Sequence, residues 1–186
     1  MTTSYKEYNS NFFRNYFDLI GTSTHDVDDG ALMNFAKLAE RRNCKVIIAG
    51  NGGSAAMASH VAVDFTKAAG IRAINFNEAD LITCFANDYG YENWLAKAVE
   101  AYGDPGDLVI LISSSGRSSN IINAASYAKQ HGFPLVTLSG FDSDNPLRSL
   151  GDINLWVDSK SYNIVEMTHH IWLLSVVDYI ISEVNT

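Results

Sequence analysis

The sequence is short of cysteine, of positive charge and of long apolar runs. Its two cysteines, Cys44 and Cys84, each lie in or beside an apolar stretch and form no CxxC pair. This excludes a disulfide framework and a cysteine-built zinc knot, and it favours a reducing, cytoplasmic setting. Lys and Arg number 13 against 21 Asp and Glu, a formal net charge of −8. Such a balance excludes a strongly basic surface, so nucleic acid is not an expected partner. The longest apolar runs, such as residues 108–112, are far too short to cross a bilayer, and no membrane association is expected. Residues 1–10 are polar and lack the apolar core of a signal peptide. There is no internal repeat, low-complexity tract or interdomain linker. What remains is a 186-residue chain, 47% hydrophobic and 18% charged, with the composition and length of one globular domain. Its acidity suits an anionic ligand poorly at first sight.

The apolar residues fall into a repeating order. Residues 45–49, 107–112 and 133–138 are near-continuous apolar runs that end in Gly- or Ser-rich loops. Unbroken runs, not alternating ones, predict parallel strands covered on both faces. Residues 72–76 and 153–157 read as two weaker strands. Helices are predicted over 5–20, 29–42, 54–69, 91–102, 118–131 and 164–182, several of them stopping at Gly70, Gly103 or Gly132. Ser54 and Ser118 read as N-caps. Two helices followed by alternating strands and helices predict an α/β fold, a three-layer sandwich around a parallel five-stranded sheet. The first helix carries Tyr5, Tyr8, Phe12, Phe13, Tyr16 and Phe17. That stripe serves either its own domain or a second subunit.

Parallel α/β sheets bind ligands at the carboxyl ends of their strands. Two loops there draw notice. Gly50-Asn51-Gly52-Gly53-Ser54 joins a strand to a helix, and its glycines let the backbone approach a ligand while the helix start offers free N–H groups. It is neither a Walker A loop nor GxGxxG, and a tight turn is its simpler reading. Ser113-Ser114-Ser115-Gly116-Arg117-Ser118-Ser119-Asn120 sets five hydroxyls between a strand end and a helix start. Hydroxyls and orphan N–H groups wrap a phosphate without lysine, which also removes the apparent conflict with the net charge.

These loops, in this order, resemble those of the sugar isomerase (SIS) family, and in particular its phosphoheptose isomerase branch. The resemblance rests on Gly50-Asn51-Gly52-Gly53-Ser54, His60, Asn87-Asp88-Tyr89-Gly90, Gly106-Asp107, Ser113-Ser114-Ser115-Gly116, Ser118-Ser119-Asn120 and Leu138-Ser139-Gly140. It implies a flavodoxin-like SIS fold in one domain over 1–186. Residues 1–43 would supply oligomerisation helices and 44–186 the α/β core of a homotetramer. It implies isomerisation of sedoheptulose 7-phosphate to D-glycero-D-manno-heptose 7-phosphate. Ser54, Ser113, Ser115 and Ser118 would hold the phosphate, with Ser114 contributing through the same loop. Asn51, Gly52 and Gly53 would line the sugar, and Asn87 and Asp88 would bond its hydroxyls, although Asn87-Asp88 also reads as a turn.

Aldose–ketose isomerisation needs a base at carbon and an acid or metal at the oxygens. The family draws these from a His and Glu four residues apart on one helix and a Gln and His eight apart on the last helix, a set that holds zinc. Here His60 matches the first histidine and Asp64 stands for the glutamate, one methylene shorter. Val165 and Leu173 fall where the Gln and His would be, so zinc is possible but His60 and Asp64 supply only part of its usual set. His60 and Asp64 are the leading catalytic candidates, and Glu166 with His169 or His170 is the candidate replacement on the last helix, so the catalytic set is taken as Asp64, His60, Glu166 and His169. A non-catalytic phosphosugar- or protein-binding protein is the alternative, as in the replication-initiator-associated relative that keeps the fold without the catalytic pair.

Overall fold

The computed structural model describes residues 5–25, 27–41 and 43–184, with side chains for 12, 14–23, 27–41 and 43–183. The aromatic side chains expected at Tyr5, Tyr8 and Phe13 therefore lie outside the described residues.

Five parallel strands form one sheet in the order β2-β1-β3-β4-β5. They are β1 (Val46–Gly50), β2 (Ala73–Ile74), β3 (Leu108–Ser113), β4 (Leu135–Ser139) and β5 (Ile153–Trp156). Every residue of β1, β3 and β4 is buried, because helices cover both faces of the sheet. Alternate residues feed two cores. Val46, Ile48, Leu108, Ile110 and Ile112 pack with α2 (Asp29–Ala39), α3 (Gly53–Lys67) and α7 (Tyr162–Val184) through Phe35, Val61, Phe65, Trp172 and Leu173. Ile47, Ala49, Val109 and Leu111 pack with α5 (Trp94–Tyr102) and α6 (Ser119–Gln130) through Trp94, Leu95, Val99, Ile121 and Ala124. Each fully buried Phe or Leu side chain of this kind contributes about 1.5–3 kcal/mol. The first helix, α1 (Tyr5–His25), lies outermost, and its Tyr16 hydroxyl donates to the Asn163 carbonyl at the start of α7. By length and apolar character α7 resembles a membrane span, but half of that stretch is buried within the protein, as in a core helix.

The predicted α/β sandwich is the observed architecture, with three local differences. Residues 79–89 form a further helix, α4, on which no residue is fully buried; Leu81, Ile82 and Phe85 pack only partly on the second core. The strand expected over 72–76 shrinks to the edge pair Ala73–Ile74. Finally, α3 starts one residue early: Gly52, at φ +54°, is its N-cap, and Ser54 sits buried in its first turn. Ser118 is the N-cap of α6, but its hydroxyl makes no capping bond.

From β1 the chain passes to β2 on one side; from β3 it passes to β4 on the other. The cleft between the carboxyl ends of β1 and β3 is therefore a topological switch point, where sheets of this kind bind ligands.

Candidate functional site

A cavity of about 300 Å³ opens at that switch point. It is lined by Asn51, Gly52, Gly53 and Ser54 after β1, by Ser113, Ser114, Ser115 and Ser118 after β3, and by Tyr162 and Glu166 of α7. The two loops are locked to each other. Asn51 Nδ2 donates to Asn120 Oδ1 at 2.9 Å, and Asn120 Nδ2 returns the bond to Asn51 Oδ1 at 2.9 Å. Ser113 Oγ donates to Ser118 Oγ at 3.1 Å, and the Arg117 N–H donates to Ser115 Oγ at 3.3 Å. The hydroxyls thus gather above the N-terminus of α6, whose first N–H groups have no intrahelical acceptor. Hydroxyls and free N–H groups so placed suit an anion without a cationic side chain. Arg117, the cation of the loop, instead pairs with Asp142 and Asp144 at 3.6 and 3.5 Å and does not line the cavity.

A clasp below holds the serine loop in shape. Asn145, buried, donates from Nδ2 to Ser139 Oγ (3.2 Å) and to the Gly140 and Asp142 carbonyls (3.1 and 2.9 Å). Its Oδ1 accepts from the Arg148 N–H at 3.0 Å. Gly116 packs directly on it at φ +64°, and a Cβ there would lie 1.9 Å from Asn145 Oδ1. Neither Asn145 nor Tyr162 was singled out from the sequence; an Asn before Pro146 is a turn signal that points to the former.

The Glu166 carboxylate sits over Gly53 at the N-terminus of α3, where a Cβ would meet Glu166 Oε2 at 2.5 Å. That position suits a carboxylate, because the helix dipole and free N–H groups favour negative charge there. Burial, with the Glu166 charge adding to it, raises the Tyr16 phenol above its ordinary range.

His60 and Asp64 lie further along α3, on the exposed face, outside the cavity lining. His60 Nε2 is 3.3 Å from Asp64 Oδ2, and His60 Nδ1 is 2.9 Å from His170 Nε2 across the α3–α7 seam. The two rings meet edge to face, 5.0 Å between centroids. Burial and the neighbouring His60 lower the His170 imidazole below its ordinary value, with Asp64 opposing. The structure does not bring His169 to this cluster. It is fully buried on the core side of α7, where Nε2 bonds to the Ser139 carbonyl at 2.9 Å and Nδ1 has no partner. Burial pushes His169 down to about 4. Asn87 and Asp88 are exposed on α4, bonded to each other at 2.9 Å and not part of the cavity lining.

A parallel five-stranded sheet with a hydroxyl-lined cavity at its switch point defines a ligand-binding type of α/β domain. Residues 7–140 match the SIS domain family, and the chain belongs to that family. Within the family its similarity is to the phosphoheptose isomerases. It is 38% identical over 139 residues to the phosphoheptose isomerase of Fusobacterium nucleatum, covering 72% of this chain and 71% of that one. It is 28% identical over 179 residues to the phosphoheptose isomerase of Mycobacterium bovis, covering 89% and 90%. Its fold superposes on the phosphoheptose isomerase GmhA of Neisseria gonorrhoeae with a TM-score of 0.87, at 26% identity, over 96% of this chain and all of that one.

The zinc set implied by the resemblance does not fit the residues present. Val165 and Leu173 are hydrocarbon side chains, fully buried in the core beneath α7. Asp64 and His170 lie against opposite ring nitrogens of His60, so the three donors do not converge on one point. Among the described residues no group of three or more His, Cys, Asp or Glu side chains is placed to hold a metal ion, whereas a structural or catalytic zinc takes at least three protein ligands.

Proposed function

We infer that the protein is a sugar-phosphate isomerase that interconverts sedoheptulose 7-phosphate and D-glycero-D-manno-heptose 7-phosphate. The observation that carries this is the hydroxyl-lined cavity between β1 and β3, in a chain similar to phosphoheptose isomerases along most of its length. In this reading Ser54, Ser113, Ser115 and Ser118 hold the phosphate with the N–H groups that open α6. Ser114 shapes the same loop, and Asn51, Gly52 and Gly53 line the sugar. Glu166 accepts bonds from sugar hydroxyls, and Asn87 and Asp88 reach the substrate only where the assembled protein places α4 against it. From Gly53 to His60 is seven residues of α3, about 10 Å. A phosphosugar anchored by its phosphate at the serine loop extends along this seam toward His60 and Asp64. Asp64 is the carboxylate that takes the proton from carbon, giving an enediol, and returns it to the adjacent carbon.

The working unit is proposed to be a homotetramer of single-domain chains in the cytoplasm. Supporting this are the exposed apolar side chains Phe17 and Leu19 on α1, Val63 on α3, and Met167 and Ile171 on α7. The free thiols of Cys44 and Cys84 suit a reducing compartment. Sedimentation equilibrium is expected to give four chains per particle; a monomer at micromolar concentration would remove this part.

The catalytic reading is tested with sedoheptulose 7-phosphate and the Asp64→Asn variant. Removing a general base costs on the order of 10²-fold or more in kcat. The wild type is expected to turn over and Asp64→Asn, still folded, to lose that much. An Asp64→Asn variant as fast as wild type would overturn the role given to Asp64.

A further inference from the structure

We propose that His170 is the group that moves a proton between the two substrate oxygens, the last member of a chain Asp64–His60–His170 built wholly from protein side chains. This rests on the isomerase reading above and assigns a residue to the half of the reaction that Asp64 does not perform.

The order of the chain follows from hydrogen-bond chemistry. A carboxylate only accepts, so Asp64 Oδ2, 3.3 Å from His60 Nε2, favours the tautomer with the proton on that nitrogen. His60 Nδ1 is then an acceptor. Two ring nitrogens 2.9 Å apart share one proton, so His170 Nε2 is the donor between them. This leaves a lone pair on His170 Nδ1, which has no hydrogen-bond partner among the described residues. A neutral imidazole with one fixed N–H and one free lone pair is suited to take a proton from one oxygen and give it to another.

The position of His170 in α7 agrees. Tyr162, Glu166 and His170 stand at i, i+4 and i+8, one stripe of the helix. The first two line the cavity, and His170 lies one turn, about 6 Å, beyond Glu166. On α3, Gly53, Ala56, His60 and Asp64 form the matching stripe, with the small, exposed Ala56 between the cavity-lining glycine and His60. Leu173, by contrast, is fully buried on the other face and has no atom that exchanges a proton. His170 stands one turn before it, on the face of α7 that meets His60.

The step balances without an oxidant or a second substrate. Asp64 takes the proton from C1, and the C–H electron pair becomes the C1–C2 double bond. The carbonyl electron pair at C2 moves to its oxygen. His170 Nδ1 takes the proton of the C1 hydroxyl and hands that same proton to the C2 oxygen, so His170 ends as it began. An electron pair of the C1 oxygen then forms the C1 carbonyl, and the C1–C2 double-bond pair takes up at C2 the proton held by Asp64. One hydrogen has moved from carbon to carbon and one from oxygen to oxygen.

The test is steady-state kinetics of His170→Ala and His170→Asn with sedoheptulose 7-phosphate, with and without added free imidazole. Both variants are expected to lose about 100-fold in kcat with KM within about twofold of wild type, because phosphate anchoring is untouched. Free imidazole is expected to restore part of the kcat of His170→Ala. A wild-type kcat in either variant overturns the proposal. So does a loss in which KM rises in step and imidazole restores nothing, since that marks a packing role. A wild-type protein without turnover would instead bring down the isomerase reading and this inference with it, so the two failures are told apart by the wild-type arm.

Discussion

At the scale of single residues, the site depends on a few positions that admit no substitute. Gly116 holds φ +64° directly against buried Asn145, and that contact sets the serine loop over α6. Left-handed backbone costs a non-glycine residue about 1–2 kcal/mol, and the overlap with Asn145 adds to it. Gly116→Ala is therefore expected to lower the melting temperature and weaken phosphosugar binding together. Ser115→Ala removes one hydroxyl from the cradle and leaves the clasp intact. A hydrogen bond to a charged group is worth about 1.5–3 kcal/mol, so about tenfold or more in Kd should be lost with the melting temperature unchanged. Calorimetric titration beside thermal melting separates the two. Equal melting losses in both variants would remove the distinction between clasp and cradle. Gly53 differs from Gly116: a Cβ there meets only the end of the Glu166 side chain, which can swing aside.

At the scale of elements, β1, β3 and β4 were legible because strands buried on both faces are written as unbroken apolar runs. Helix α4 was not, since none of its residues is fully buried and its end, Asn87-Asp88-Tyr89-Gly90, carries turn residues. The two phosphate-type loops were legible as sequence, but their mutual lock through Asn51 and Asn120 is a long-range contact that no local pattern encodes. Helix α7 shows the sharpest limit. From Glu166, positions i+3 and i+4 both lie near its face, so spacing alone does not choose between His169 and His170. Packing chooses: Val165, Leu173 and Val176 fix the buried side, His169 falls inside with them, and His170 meets His60. Buried His169 carries its own consequence. Its value falls from the ordinary 6.5 to about 4 on folding, so between these pH values the unfolded chain binds the extra proton. Stability is then complete above about pH 6.5 and declines as pH falls toward 4, by at most about 3 kcal/mol. Denaturant unfolding at pH 7 and pH 4.5 should show this loss, and His169→Gln should lessen it. An unchanged pH dependence in His169→Gln would assign the loss to other groups.

At the scale of the whole molecule, a net charge of −8 says nothing against a phosphosugar. The cavity is lined by hydroxyls and helix N-termini, and the one cation of its serine loop is turned outward onto Asp142 and Asp144. The fold places this cavity at the switch point and lays His60, Asp64 and His170 along a neighbouring seam, so in the proposed reading anchoring and chemistry fall to different elements. That division makes turnover, not binding, the decisive observable. The most direct measurement is nuclear magnetic resonance of sedoheptulose 7-phosphate incubated with the wild-type protein, followed until the sugar signals stop changing. Steady conversion of the ketose phosphate to the aldose heptose 7-phosphate is expected. Saturable binding with no conversion, with and without added zinc, would contradict it and leave a phosphosugar-binding protein without catalysis.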